Sequence, residues 1–97
     1  MNFSIIYSQN SKDELKEITI YYFNYTEETA RRFLYNIRKF INDKISFMPE
    51  MFRIYKNDIR LVPYWDYLIF YKINHKTNIV EILHIIHWAR ELSNLKF

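Results

Sequence analysis

With 97 residues the chain is long enough for one domain, and its hydrophobic fraction of 49% and aromatic fraction of 20% exclude a disordered polymer. The net charge of +3 and the pI near 9.1 suit contact with nucleic acid or with an acidic protein. The absence of cysteine excludes disulfides and a thiol nucleophile, and the absence of glycine excludes a glycine-rich phosphate-binding loop.

The first part of the chain predicts one strand followed by a helix. Phe3–Tyr7 is short and rich in β-prone residues, so we expect a first strand there. Ser11 lies three residues before Glu14, which is the spacing of a capping box, and we expect the first helix to begin at Ser11. Apolar residues then recur at helical spacing as Leu15, Ile18, Tyr22 and Phe23. The helix should end near Asn24.

A second amphipathic helix follows after a short joint. Thr26 supplies a capping hydroxyl, and Glu27 and Glu28 place negative charge at the positive end of the helix dipole. The apolar stripe comprises Ala30, Phe33, Leu34, Ile37, Phe40, Ile41 and Ile45. Pro49 forbids further helix. The two helices should therefore form an antiparallel hairpin.

After Pro49 the hydrophobic pattern changes from helical to alternating. Four strands are predicted, at Phe52–Tyr55, Ile59–Val62, Tyr67–Ile73 and Ile79–His87. Pro63 should end the second of them, and the short loops predict antiparallel neighbours. The order β-α-α-β-β-β-β predicts a single α+β domain over residues 1–97, with an antiparallel sheet covered on one face by the helical hairpin. The opposite face should be free for function.

We expect a cytoplasmic protein without membrane contact. The amino terminus, Met1–Ser4, lacks the basic segment and apolar stretch of a signal peptide. No apolar run approaches the ~20 residues of a membrane span. A chain without cysteine also fits a reducing compartment.

The histidine spacing bears on a metal site. His84 and His87 are three residues apart, which on a strand places them on opposite faces. Few other ligands converge in the pattern, so we expect neither a metal nor a cofactor.

A metal-free ribonuclease is one chemical alternative. Cleavage of RNA by its own 2′-hydroxyl requires a base, an acid, and cations that stabilise the phosphate. The candidate catalytic residues are His84, His87, Arg60 and Arg90, with Arg53 and Lys56 as further cations. Structural interpretations are also available, since Lys56 is typical of a solvated turn, Arg53 and Arg60 of polar strand positions, and His84 of a hydrogen-bonded sheet residue. The pattern therefore leaves this alternative open.

A protein-contact surface is another alternative. Trp65, Trp88 and the nine tyrosines exceed what a small core needs, and Trp, Tyr and Arg are favoured anchors of interfaces. The same rings would also fill a core that has no glycine and little alanine. Composition alone leaves both interpretations open.

Several motifs in a fixed order carry a family resemblance. The helix pair contains D-E-L-K-E-I and T-A-R-R-F-L, and then come Pro49, Arg60 on a strand, and the aromatic strand Tyr67–Ile73. The last strand runs into H-W-A-R-E at His87–Glu91. In this order and at this length the motifs resemble the RelE/ParE superfamily of small toxins from type II toxin–antitoxin systems. The resemblance covers nearly the whole chain.

The resemblance also bears on the target. RelE-like members cut messenger RNA on the ribosome, whereas ParE-like members are associated with inhibition of DNA gyrase. The ending resembles the His-Gly-x-Arg-Asp pattern of ParE-like members, with Trp88 in place of glycine and Glu91 in place of aspartate. No tyrosine follows Tyr71, so the terminal tyrosine of many RelE-like members is missing. We therefore expect a growth-inhibiting ParE-like toxin of the kind linked to plasmid stabilisation, with a RelE-like endoribonuclease as the alternative.

The resemblance implies a cognate antitoxin, whose amphipathic segment would cover an apolar groove beside the helix pair. Contacts with the antitoxin or the target are expected at Tyr22, Tyr25, Arg53, Trp65, Tyr67 and Trp88. Four of these should be exposed, namely Tyr22, Tyr25, Trp65 and Tyr67. Arg90 and Glu91 should pin the C-terminal tail, with Trp88 packed beneath it.

Overall fold

The computed structural model describes residues 2–90 and 92–97, in which five strands form one sheet with two helices against one of its faces. The helices are α1 (Gln9–Phe23) and α2 (Glu27–Phe40). The strands are β1 (Ser4–Tyr7), β2 (Arg53–Lys56), β3 (Ile59–Tyr64), β4 (Tyr67–Asn74) and β5 (Ile79–His87). The order across the sheet is β1-β5-β4-β3-β2. Within the described residues, no helix is both long and apolar enough to cross a membrane.

The sheet is mixed. Strands β2 to β5 form the predicted antiparallel meander, but β1 joins the edge of β5 in parallel. Ser4 lies opposite Ile79, and Tyr7 lies opposite Ile82. The predicted α+β fold is therefore confirmed, although the sheet is not antiparallel throughout. Short loops fix the direction only of strands that follow one another in the chain, and β1 and β5 are far apart in sequence.

Ser8, rather than Ser11, caps α1. The Ser8 hydroxyl oxygen accepts from the Ser11 N–H at 3.1 Å, and the hydroxyl donates to the Leu83 carbonyl at 2.8 Å. Ser11 is buried, and its hydroxyl donates to the Ser8 carbonyl at 2.9 Å. The predicted helix start at Ser11 is wrong, because Ser8 has a partner on β5 that local spacing does not reveal.

The second helix begins and packs as predicted. The Thr26 hydroxyl oxygen accepts from the Thr29 N–H at 3.0 Å, and a π-helical turn at Ile41–Ile45 continues the helix. The main core lies between the hairpin and the sheet. Its wholly buried members include Ile37, Ile41, Ile45, Ile69, Tyr71, Val80, Ile82 and Ile85.

Pro63 lies inside β3, which continues to Tyr64. The pairing of β2 with β3 extends only from Ile59 to Leu61. Beyond Leu61, β3 pairs with β4 alone among the described residues, and an edge of this kind tolerates a residue without an N–H. The predicted end of the strand at Pro63 is therefore wrong.

The second face of the sheet is covered by the C-terminal segment (residues 92–97). Four buried side chains form an apolar cluster on this face, namely Ile59, Leu61, Phe70 and Ile86. Leu92 and Leu95 pack against the cluster, and the Phe97 ring lies 5.4 Å from the Phe70 ring. The prediction of a bare face is wrong, because the strands carry apolar side chains on both faces. The C-terminal segment, which we also call the tail, buries the apolar side chains of the second face.

Candidate functional site

A bulge in β5 sets the directions of its histidines. Tyr71 pairs with Ile82 and Phe70 with His84, so Leu83 is an extra residue in the pairing. His84 therefore shares the tail-covered face with Phe70. His87 pairs with Tyr67 on the helix-covered face. The two histidines lie on opposite faces of the sheet, as predicted.

His84 is buried, and both of its ring nitrogens have partners. Nδ1 lies 2.9 Å from a carboxylate oxygen of Glu14, and Nε2 lies 2.8 Å from the Lys96 carbonyl oxygen. Both partners are oxygen atoms that can accept from a ring N–H. The ring thus ties α1 to the C-terminal segment and leaves neither nitrogen free for a substrate.

Glu14 is a hub that sequence reasoning missed. Its carboxylate accepts from the Ile85 N–H at 3.0 Å and lies 3.5 Å from the Arg90 guanidinium, in addition to its contact with His84. The hub is needed because β1 pairs with β5 only as far as Ile82, which leaves the next stretch of the β5 edge without a strand partner. The predicted strand lengths could have indicated this unpaired stretch. The last strand has nine residues, so a first strand of four or five residues is too short to pair with all of it.

Arg60 forms hydrogen bonds with the loop before β2. Its guanidinium donates to the carbonyls of Glu50 at 3.1 Å and Phe52 at 2.7 Å. Arg60 pairs with Tyr71, whose side chain lies in the main core, so it occupies the face opposite to that of His84. Burial raises the pKa of Tyr71, and the nearby Arg60 charge lowers it to a smaller degree.

The four candidate catalytic residues therefore do not form a single site. His84 and Arg90 both contact the Glu14 carboxylate, at 2.9 and 3.5 Å. His87 is on the other face of the sheet, and Arg60 is bound to backbone carbonyls. The further cations, Arg53 and Lys56, are exposed on the edge strand β2. Within the part of the chain that is described, no three His, Asp or Glu side chains are grouped as they would be around a metal ion.

The aromatic contact residues gather at one end of the sheet, but they are not equally exposed. Tyr67 is only 6% exposed, so the expectation that it is a surface residue is wrong, and Tyr22 is half-buried. The Tyr67 hydroxyl donates to the Tyr22 hydroxyl at 3.0 Å. Burial and this hydrogen bond raise the pKa of Tyr67. Tyr25 and Trp65 are exposed, as expected.

Trp88 and Arg90, within the described part of the His87–Glu91 motif, are not placed as expected. Trp88 is 61% exposed and stacks on His87, with ring centroids 5.8 Å apart, so it does not pack beneath the tail as expected. The backbone N–H of Trp88 donates to the Asp66 carbonyl at 2.9 Å. Arg90 contacts Glu14 rather than the tail. Glu91 lies outside the described residues.

Two depressions lie on different sides of α1. The first has a volume of about 400 Å³ and lies between the helices. Its apolar lining includes Leu15, Ile20 and Leu34, and its charged lining consists of Lys12, Lys16 and Arg38. We call it the basic groove. The second, of about 330 Å³, is acidic and aromatic, and its polar and aromatic lining comprises Glu17, Tyr21, Tyr22, Asp66, Tyr67 and His87. We call it the acidic pocket. Sequence reasoning missed Glu17 and Asp66, because only the tertiary contact of α1 with the β3–β4 hairpin and the end of β5 brings them together.

Three solved structures share this fold at low sequence identity. The toxin–antitoxin complex RelBE2 from Mycobacterium tuberculosis matches with a TM-score of 0.71 at 14% identity, over 90% of this chain and 99% of that chain. The chromosomal ParDE system from P. aeruginosa matches with a TM-score of 0.72 at 13% identity, over 88% and 95%. The archaeal RelE–RelB complex from Pyrococcus horikoshii OT3 matches with a TM-score of 0.55 at 20% identity, over 94% and 100%.

The sequence itself gives a more specific assignment. None of the curated proteins compared with the chain matches it in sequence. The family described as the ParE toxin of the type II toxin–antitoxin system parDE matches residues 5–92, which is nearly the whole chain. The resemblance found in the motifs is thereby confirmed, and the chain belongs to the ParE toxin family of type II toxin–antitoxin systems, within the RelE/ParE superfamily.

Proposed function

We propose that this toxin inhibits DNA gyrase through protein contacts in the cytoplasm and is neutralised by a cognate antitoxin. The observation that favours this over a ribonuclease is that the four candidate catalytic residues do not form one site with nitrogens free for a substrate. A base and an acid must both reach the scissile phosphate, and cations must lie beside it. His84 and His87 are on opposite faces of the sheet, and Arg60 and Arg90 are engaged with protein oxygens.

The exposed aromatic end supports action by contact. Trp65 is 87% exposed, Tyr25 is 66% exposed and Trp88 is 61% exposed. Large exposed rings of this kind are the usual anchors of protein interfaces. Arg53 is exposed on β2, and we retain it as a further contact residue.

The basic groove is the surface that we assign to the antitoxin. Its apolar floor suits the apolar face of an amphipathic segment, and its rim of Lys12, Lys16 and Arg38 suits acidic residues along that segment. The RelBE2 and archaeal RelE–RelB structures are complexes of a toxin with its antitoxin, which agrees with a partner of this kind.

Two assays on the purified toxin test the proposal. In a supercoiling assay we expect gyrase to be inhibited in proportion to the amount of toxin and to recover when antitoxin is added. In a ribosome-dependent translation reaction we expect full-length messenger RNA, with no codon-linked cuts. Cut messages together with unimpaired supercoiling would refute the proposal in favour of the RelE-like alternative, and His87→Ala would then show whether that exposed histidine contributes to cleavage.

A further inference from the structure

The acidic pocket combines side chains from three separate elements. Glu17 and Tyr21 lie one helical turn apart on α1, Asp66 and Tyr67 come from the β3–β4 hairpin, and His87 ends β5. The backbone bond between Trp88 and Asp66 holds the hairpin against the end of β5. The pocket is therefore built on hydrogen-bonded secondary structure rather than on a free loop.

The pocket carries two carboxylates, and none of the described residues that line it is a lysine or an arginine. Within the described residues, neither the Glu17 nor the Asp66 side chain forms a hydrogen bond or an ion pair. The Nδ1 atom of His87 accepts from the Ala89 N–H at 3.1 Å, so that atom already has a backbone partner. Arg90, the basic residue that follows, contacts Glu14 instead.

The aromatic rings add a second attraction for a cation. Tyr21 is 54% exposed and lies edge-on to Tyr22 and Tyr25, with ring centroids 5.3 and 5.5 Å apart. Trp88, stacked on His87, is exposed beside the pocket. Aromatic faces attract cations, and a planar guanidinium both stacks on rings and pairs with carboxylates through two hydrogen bonds. An ammonium group is strongly hydrated and lacks this planar match, so arginine suits the pocket better than lysine.

We propose that the acidic pocket binds an arginine side chain presented by the toxin's protein target. The proposal rests on the function proposed above. We assign the arginine to the target rather than to the antitoxin because the basic groove on the other side of α1 has the opposite charge and takes the acidic partner. A helix about 10–12 Å across separates the two surfaces, so they are distinct sites.

The first test uses the toxin alone and is independent of gyrase. Isotope-labelled toxin is titrated with N-acetyl-arginine amide and, as the uncharged control, with N-acetyl-citrulline amide. We expect saturable shifts in the millimolar range for the Trp88 indole and the His87 ring with the arginine probe only. Equal shifts with both probes, or shifts confined to other parts of the protein, would overturn the proposal.

Matched variants identify the carboxylates. The double variant Glu17→Gln, Asp66→Asn keeps the shape of both exposed side chains and should weaken binding of the arginine probe about tenfold. Glu50→Gln, Asp58→Asn changes the net charge equally at exposed positions that do not line the acidic pocket. It should leave binding unchanged. Equal weakening by both double variants would show a general charge effect and would count against the pocket.

The gyrase assay separates this inference from the proposed function. We expect Glu17→Gln, Asp66→Asn to lower gyrase inhibition about tenfold while the antitoxin still binds. If the unaltered toxin does not inhibit gyrase, the proposed function fails, and with it the assignment of the arginine to that target. If the variant inhibits normally, the inference alone fails. If the variant still inhibits gyrase but no longer binds the antitoxin, the pocket belongs to the antitoxin and the inference is wrong. The same holds if the variant loses self-association while inhibition is retained.

Discussion

Replacing Glu14 by alanine should destabilise the toxin more than the same replacement at any other charged residue of α1. The carboxylate accepts from the Ile85 N–H and from the buried His84 ring, and it is only 14% exposed. The substitution leaves the Ile85 N–H on the strand edge and Nδ1 of the His84 ring without partners at the same time. No neighbouring side chain of α1 spans to β5 in this way among the described contacts.

The magnitude follows from the two groups left unpaired. An unsatisfied buried N–H costs about 1–3 kcal/mol. Deleting one partner of a buried pair costs about 3–5 kcal/mol, and the lower end applies because some water reaches Glu14. The half-exposed Arg90 contact, at 3.5 Å, adds little. We expect a loss of about 3–4 kcal/mol, which for a domain of this size lowers Tm by roughly 12–30 °C.

Thermal and urea unfolding, followed by far-UV circular dichroism, measure this loss. Glu14→Gln keeps an acceptor for the Ile85 N–H and should lose about half as much free energy of unfolding. Glu17→Ala, one turn along the same helix and exposed, is the matched control and should change it by no more than about 0.5 kcal/mol. If Glu14→Ala were within 1 kcal/mol of Glu17→Ala, the hub would not stabilise the fold as argued.

Three further predictions concern the cap, the tail and the buried tyrosines. Ser8→Ala removes both the helix cap and the bond to Leu83, and should lower the free energy of unfolding by about 1–2 kcal/mol in urea titrations, whereas a loss under 0.3 kcal/mol would contradict Ser8 as the cap. Phe97→Ala removes the ring that packs on Phe70 and should lower the free energy of unfolding by about 1 kcal/mol. Trp65→Ala, at an exposed position, is the control and should change the unfolding midpoint little. Equal effects of the two changes would mean that the tail does not stabilise the second face. Burial raises the pKa of Tyr67 above its ordinary value of 10.0, so unfolding releases a proton above pH 10, and stability should be steady up to about pH 10 and fall beyond it. Tyr67→Phe should flatten that alkaline fall, and an unchanged pH profile would contradict the assignment.

Local patterns predicted the elements well because the forces that set them act within a few residues. The apolar stripe of α2 and the Thr26 cap depend on helical spacing, and the last strand, Ile79–His87, was predicted with its bounds correct. The errors occurred where a distant partner decides the outcome. Ser8 displaces Ser11 as the cap because its hydroxyl reaches β5, and Pro63 stays in β3 because β2 ends early.

The candidate site was less predictable because it depends on pairing register. His84 and His87 were placed on opposite faces correctly, but the partner of His84 is Glu14, 70 residues away in the chain. The acidic pocket depends on contact between α1, the β3–β4 hairpin and the end of β5, and no local spacing relates Glu17 to Asp66. The tail was expected to pack over Trp88, whereas its described residues Leu92 and Leu95 pack on the apolar second face.

Net charge is a poor guide to the partners of this toxin, because the charge is divided between two sides of one helix. The chain carries +3 overall, which on its own favours an acidic partner. Lys12 and Lys16 line the basic groove, whereas Glu17 on another side of the same helix lines the acidic pocket. At physiological salt an exposed charge is screened beyond about 8 Å, which is less than the width of a helix. A partner docking on either side therefore responds to the local charge and not to the sum, and one small domain can present opposite charges to an acidic and a basic partner.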